Sequence, residues 1–161
     1  MTILRQYFVA QCVEHLQGDF LPKIRTAVEE LSEQQLWWRP NENSNSVGNL
    51  LLHLEGNVRQ WIVAGIGGAP DDRKRQREFE QRSPLASEDL LDNLAVCVQE
   101  AIDVLEGLDE AALTASYRIQ IYEVSGVSAV VHVVEHFSYH TGQILYITKM
   151  LRDLDLAFYD L

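Results

Sequence analysis

Long apolar runs are missing from this chain. Nowhere do about 18 apolar residues follow one another, so no membrane span is expected. Cysteine is nearly absent: Cys12 and Cys97 each sit within an apolar helical pattern and neither belongs to a CxxC, which excludes a disulfide framework and reads as two buried free thiols. Basic residues are scarce as well. Thirteen Lys and Arg face 24 Asp and Glu, a formal net charge of -11, and a nucleic-acid backbone must be met by cations, so no nucleic-acid partner is expected. The opening MTILRQYFVAQCVEHLQGDF lacks a basic start, an uninterrupted apolar core and a small-residue cleavage site, so the expectation is no secretory leader and a cytoplasmic location.

What is there is a chain of 161 residues with 47% hydrophobic content, enough for one domain over 1–161 with its own core. Apolar residues recur at Leu4, Phe8, Cys12 and Leu16, then at Ile24, Val28 and Leu31, the spacing of an amphipathic helix. Gly18 and Asp19 between the runs either kink one long helix or divide it, with Asp19 as cap and Pro22 in the first turn. Ser32 to Gln35 matches a capping box. Asn45 or Ser46 caps a second helix that runs to about Ile66 and stops at Gly67 and Gly68.

The stretch from Gly68 to Pro84 reads as a loop, a mobile segment or lid; its basic cluster around Arg73 to Arg82 is interleaved with acids and fits a solvated surface. A third helix spans Ser87 to Gly107. Tyr117, Ile119 and Ile121 then alternate with polar neighbours, a short extended crossing, and the last helix runs from Ser125 or Gly126 to about Arg152. The tail DLDLAFYDL should pack loosely. These elements predict an all-α protein: a four-helix bundle with one long connection and a short extended crossing before the last helix.

Three of the five histidines, His132, His136 and His140, lie four apart in the last helix. A step of four turns a helix by about 40°, so His136 and His140 stack on one face, as two ligands of one metal would. His132 is offset from His140 by about 80° and cannot comfortably share that ion. A third ligand candidate is His53 in the second helix. Its stripe carries Asn49, Asn57 and Gln60, and the stripe of His136 carries Gln143; a purely structural bundle would place Leu, Ile and Val there. Asn49, Asn57, Gln60, His132 and Gln143 are therefore candidates for holding the ligands or for lining a substrate pocket. Glu55 and Glu135 point away from the site, and His15 reads as an ordinary packed or surface residue.

Three segments, NLLLHLEGNVRQW around His53, VEHFSYHTGQI around His136 and His140, and WWRPNENSNSV before the second helix, resemble the DinB/YfiT-like superfamily of small bacterial metal-binding four-helix proteins. That resemblance implies a three-histidine site of His53, His136 and His140 with zinc or nickel and open positions for water, and it implies that homodimers are common. It further implies thiol transfer, hydrolysis or isomerisation on a small molecule, with a low-molecular-weight thiol as one substrate class. The leading expectation is a metal-dependent enzyme; the alternatives are a non-catalytic stress-response or ligand-binding module with a structural metal, and an interaction bundle that uses Trp37, Trp38 and Trp61 as surface anchors.

Overall fold

The computed structural model describes residues 2–82 and 84–159, so Met1, Ser83 and the last two residues of the expected DLDLAFYDL tail lie outside the described residues. Four long helical rods form an all-α bundle. The first runs through α1 (Ile3–Val13), a π-helical segment (Glu14–Phe20) and α2 (Leu21–Glu29) without a break. Gly18 and Asp19 therefore do not divide the helix; they lie in its π-helical segment. Asp19 pairs with Lys23 one turn on and does not cap. The side facing the core is Arg5, Val9, Cys12 and Leu16, whereas Leu4, expected inside, is 75% exposed.

Arg5 explains that shift. Its guanidinium donates to the carbonyls of Leu105, Glu106 and Leu108 at the end of the third rod, where a helix leaves its last carbonyls without intrahelical partners. A short α3 (Glu33–Leu36) follows, opened by the Ser32–Gln35 capping box in both directions. The second rod is α4 (Val47–Val58) continued by a π-helical segment (Arg59–Ala64), with Ser46 as N-cap. Gly48 lies under the Trp37 ring, where an added Cβ would come within 2.8 Å of ring carbons.

The connection to the third rod, α6 (Ser87–Gly107), contains α5 (Arg75–Glu80), where the sequence predicts a loop. After α7 (Glu110–Thr114), the chain forms a two-stranded antiparallel hairpin, β1 (Ser116–Ile119) with β2 (Tyr122–Ser125), not one extended crossing. The alternation runs through the turn with no Asn-Gly or Asp-Gly to mark it. Instead Gln120 takes the left-handed region itself, at φ 56°. The last rod, α8 (Gly126–Arg152), begins at the Ser125 cap and ends at Asp153, also left-handed.

α4 packs against both α6 and α8, and α2 closes on α8. Leu16, Ile24, Leu54, Ile62, Leu94, Leu105, Phe137 and Ile144 are fully buried between them. Cys12 and Cys97 are buried free thiols, as expected. No described helix is long and apolar enough to cross a membrane. Leu94 tests the core at a distance from the histidines: Leu94→Ala should cost about 2–5 kcal/mol in urea denaturation with an unchanged m-value. A loss below about 0.5 kcal/mol would mean that α6 is not packed as described.

Candidate metal centre

The site begins with a cap. The Ser46 hydroxyl accepts from the Asn49 amide at 3.1 Å while the Asn49 side chain accepts from the Ser46 amide at 3.2 Å, which fixes the start and rotation of α4. Counting on from that start, Asn49, His53, Asn57 and Gln60 all point inward and are buried. α8 runs antiparallel to this stripe, so that successive turns meet: His53 faces His136, and one turn further Asn57 faces His132. The Nε2 atoms of His53 and His136 are 2.9 Å apart. With His140 added, one nitrogen from each of the three rings lies within 4.8 Å of the others, and these three could hold a metal ion.

In two of the three rings the other nitrogen has its own partner. His140 Nδ1 donates to Gln143 Oε1 at 2.7 Å, and His53 Nδ1 donates to Glu78 Oε2 at 2.8 Å. The Gln143 bond selects the His140 tautomer that leaves its Nε2 lone pair free, and the ionised Glu78, which can only accept, selects the same tautomer of His53, whose Nδ1 also lies 3.1 Å from Arg73 Nη2, itself donating to Glu78. Glu78 is fixed in turn by Arg73, whose Nε donates to Oε1 at 2.7 Å and whose Nη2 donates to Oε2 at 2.9 Å, a two-point grip. Arg73 Nη1 reaches Gln60 Oε1 at 2.9 Å, and Gln60 also binds Asp71 and Gln120.

Glu78 and Arg73 correct the expectation that the charged cluster within 68–84 is a solvated surface. Their side chains are 11% and 6% exposed, and the stretch from Asp71 to Gln81 is a strap fastened across the site. Asn49 Nδ2 ties it down by donating to the carbonyls of Glu78 and Gln81 at 2.8 and 3.1 Å. Phe79 lies 4.7 Å from the His53 ring. Gly56 makes room, since a Cβ there would collide with the Glu78 carboxylate and Arg73 Nε. In the sequence the strap is a mixed-charge run without periodicity, and only the placement of Gly56 one turn from His53 hints that something lies close.

His132 stays outside the cluster of three. Its Nε2 is 3.3 Å from Asn57 Nδ2 and its ring lies 4.0 Å from that of Trp61. Trp61 is 6% exposed and is therefore not a surface anchor. At 100° per residue it falls about 80° from His53, but the π-helical segment winds more slowly and brings a four-residue step from Asn57 nearly into line. Glu55 and Glu135 do not join the cluster. His15 stacks on Phe20 on the first rod.

Burial, and then the neighbouring imidazoles and Arg73, push the His136 pKa down to about 3; burial lowers those of His140 and His132. Burial opposes ionisation of Glu78, yet the hydrogen bonds and charges of Arg73 and His53 hold it below its ordinary value. The Cys12 and Cys97 thiols are pushed up to about 11 and about 12 by burial, so neither offers a thiolate at neutral pH. In front of the cluster a cavity of about 410 Å³ opens between α4, α8, the strap and the hairpin.

A family model described as "Protein of unknown function (DUF1572)" matches residues 5–159. Among solved structures, a DinB-like protein of Bacillus subtilis, YjoA, is 20% identical with a TM-score of 0.68, over 93% of this chain and 98% of that one. A conserved protein from Enterococcus faecalis is 15% identical with a TM-score of 0.75, over 96% of this chain and 99% of that one. At such identities the likeness is one of fold. No curated protein matches the chain.

Two outcomes follow for the metal-free protein. Glu78→Ala strands the Arg73 guanidinium and should cost about 3–5 kcal/mol in urea denaturation; a loss below about 0.5 kcal/mol would show the pair to be dispensable. His136 is protonated below about 6.5 when unfolded but only near 3 when folded, and Glu78 adds the same sign below 4.5, so stability should fall as pH drops from 6.5 towards 3. A urea midpoint that stays constant from pH 7 to pH 4 would contradict this.

Proposed function

Because the chain belongs to the DUF1572 family and shares the DinB-like fold, we propose that it holds a divalent transition metal, zinc or nickel, on His53, His136 and His140. That ion would serve a reaction on a small molecule in the cytoplasm, thiol transfer or hydrolysis. The observation that carries this reading is the convergence of three imidazole nitrogens within 4.8 Å, two of whose rings have the opposite nitrogen already engaged. Neutral nitrogen donors suit zinc and nickel, and His136 is held neutral far below pH 7.

Bound there, such an ion supplies Lewis acidity at neutral pH. The chain's own residues would do the rest. Glu78 and Gln143 hold His53 and His140 in the ligating tautomer, and Arg73 keeps Glu78 charged and in place. Phe79 would cover His53, and Trp61 would cover the neighbouring His132. The cavity beside them leaves a small molecule access to the open side of the cluster.

A structural metal would favour a closed shell of four protein ligands. Among the described residues no fourth His, Cys, Asp or Glu joins the three, and His132 is committed to Asn57 and Trp61, which favours the open, catalytic reading.

Plasma emission on purified protein should find about one transition metal per chain, as a single site predicts, and the triple His53→Ala, His136→Ala, His140→Ala variant should bind none while keeping its helical circular dichroism. Wild-type protein that stays metal-free after incubation with zinc and nickel would overturn the reading. Bacillithiol, mycothiol or glutathione offered with an electrophile should give metal-dependent conjugation if the reaction is thiol transfer; absence of conjugation with all three would leave hydrolysis.

A further inference from the structure

The cavity in front of the histidines has a charge that the rest of the chain does not. In a protein of net charge -11, its walls carry Arg73 and Arg75 and no aspartate or glutamate. Arg73 is neutralised by its two-point contact with Glu78. Arg75 is not: among the described residues no carboxylate pairs with it. Its guanidinium lies 4.8 Å from the centre of the Phe79 ring, and Phe79 packs on His53, so an exposed, unpaired cation stands at the mouth of the cavity, stacked on an aromatic ring beside the cluster.

The opposite wall is also built. The hairpin brings Tyr122 against Trp61, with ring centres 6.2 Å apart, and Trp61 in turn against His132. Gln120 adopts its left-handed backbone where its amide bonds Gln60, which holds the hairpin tip over the cavity. The result is one free guanidinium, an aromatic wall of Trp61 and Tyr122, and a volume of about 410 Å³, the lower range for small-ligand sites. We propose that this cavity binds a small organic carboxylate, its charge on Arg75 and its body between Trp61, Tyr122 and His132, beside the three histidines.

This rests on the metal reading and names its substrate class. A guanidinium fork matches a carboxylate, whereas a phosphate dianion would call for a second free cation that these walls lack. A cationic ligand would meet Arg75 unfavourably, and a neutral one would make no charge-assisted contact with it.

The probes are mandelate, its neutral counterpart 1-phenylethane-1,2-diol, and inorganic phosphate, each titrated by NMR into metal-free and zinc-treated protein with the Trp61 indole as reporter. Mandelate should bind about tenfold tighter than the diol, the size of one charge-assisted hydrogen-bonded contact. Arg75→Gln should bring the two within about twofold, and Arg82→Gln on the same strap should leave the preference intact. Equal binding of mandelate and the diol, a preference that survives Arg75→Gln, or phosphate binding tighter than mandelate would each overturn the proposal. Protein that takes up no zinc yet keeps the preference supports this site while overturning the metal reading; zinc-loaded protein without the preference does the reverse.

Discussion

Three imidazoles crowded into the interior of a helical bundle can be tolerated only if they stay uncharged and if their ring nitrogens find partners. That constraint organises the molecule. Protonating the cluster would place like charges within 4.8 Å of one another in a half-dry setting, and leaving the nitrogens unpaired would cost on the order of 1–3 kcal/mol each. Gln143, one turn along α8, serves His140; Glu78, brought in by a separate strap, serves His53. A buried carboxylate needs its own cation, hence Arg73, and the strap needs an anchor, hence Asn49 and the space above Gly56.

Much of the scaffold was legible because its signals are local. Ser46 as cap and Ser125 as the start of α8 follow from side chains that bond the backbone within a turn, and the structure has them where the sequence puts them; α6 likewise ends at the expected Gly107. The polar stripe through Asn49, His53 and Asn57 was visible for the same reason: an α-helix keeps fixed angular steps. Where the winding changes, the projection fails. Trp61 sits in the π-helical segment and turned out to be buried against His132.

The partners of the site are another matter. Arg73 and Glu78 lie 20 and 25 residues from His53, in a run whose alternating charges look like any solvated surface. Nothing periodic singles out Glu78 as the strap carboxylate that turns inward; its placement is helped by Asn49 holding two strap carbonyls, a contact between segments with no shared local pattern. Arg5 is a similar case, a cation on an apolar face whose reason is the carbonyl end of a helix about 100 residues away. The hairpin was half visible, because alternation marks extended chain but does not mark its reversal when Gln120 bears the left-handed turn.

The two histidines that meet most closely, His53 and His136, are 83 residues apart in the chain. Anything that grips both therefore closes a large loop and joins the second rod to the last, so that α8 cannot leave the bundle until the grip is released. An occupied cluster would act as a clasp, raising the barrier to opening as well as the equilibrium stability, and the lifetime of the native state would then be set in part by how slowly a ligand departs.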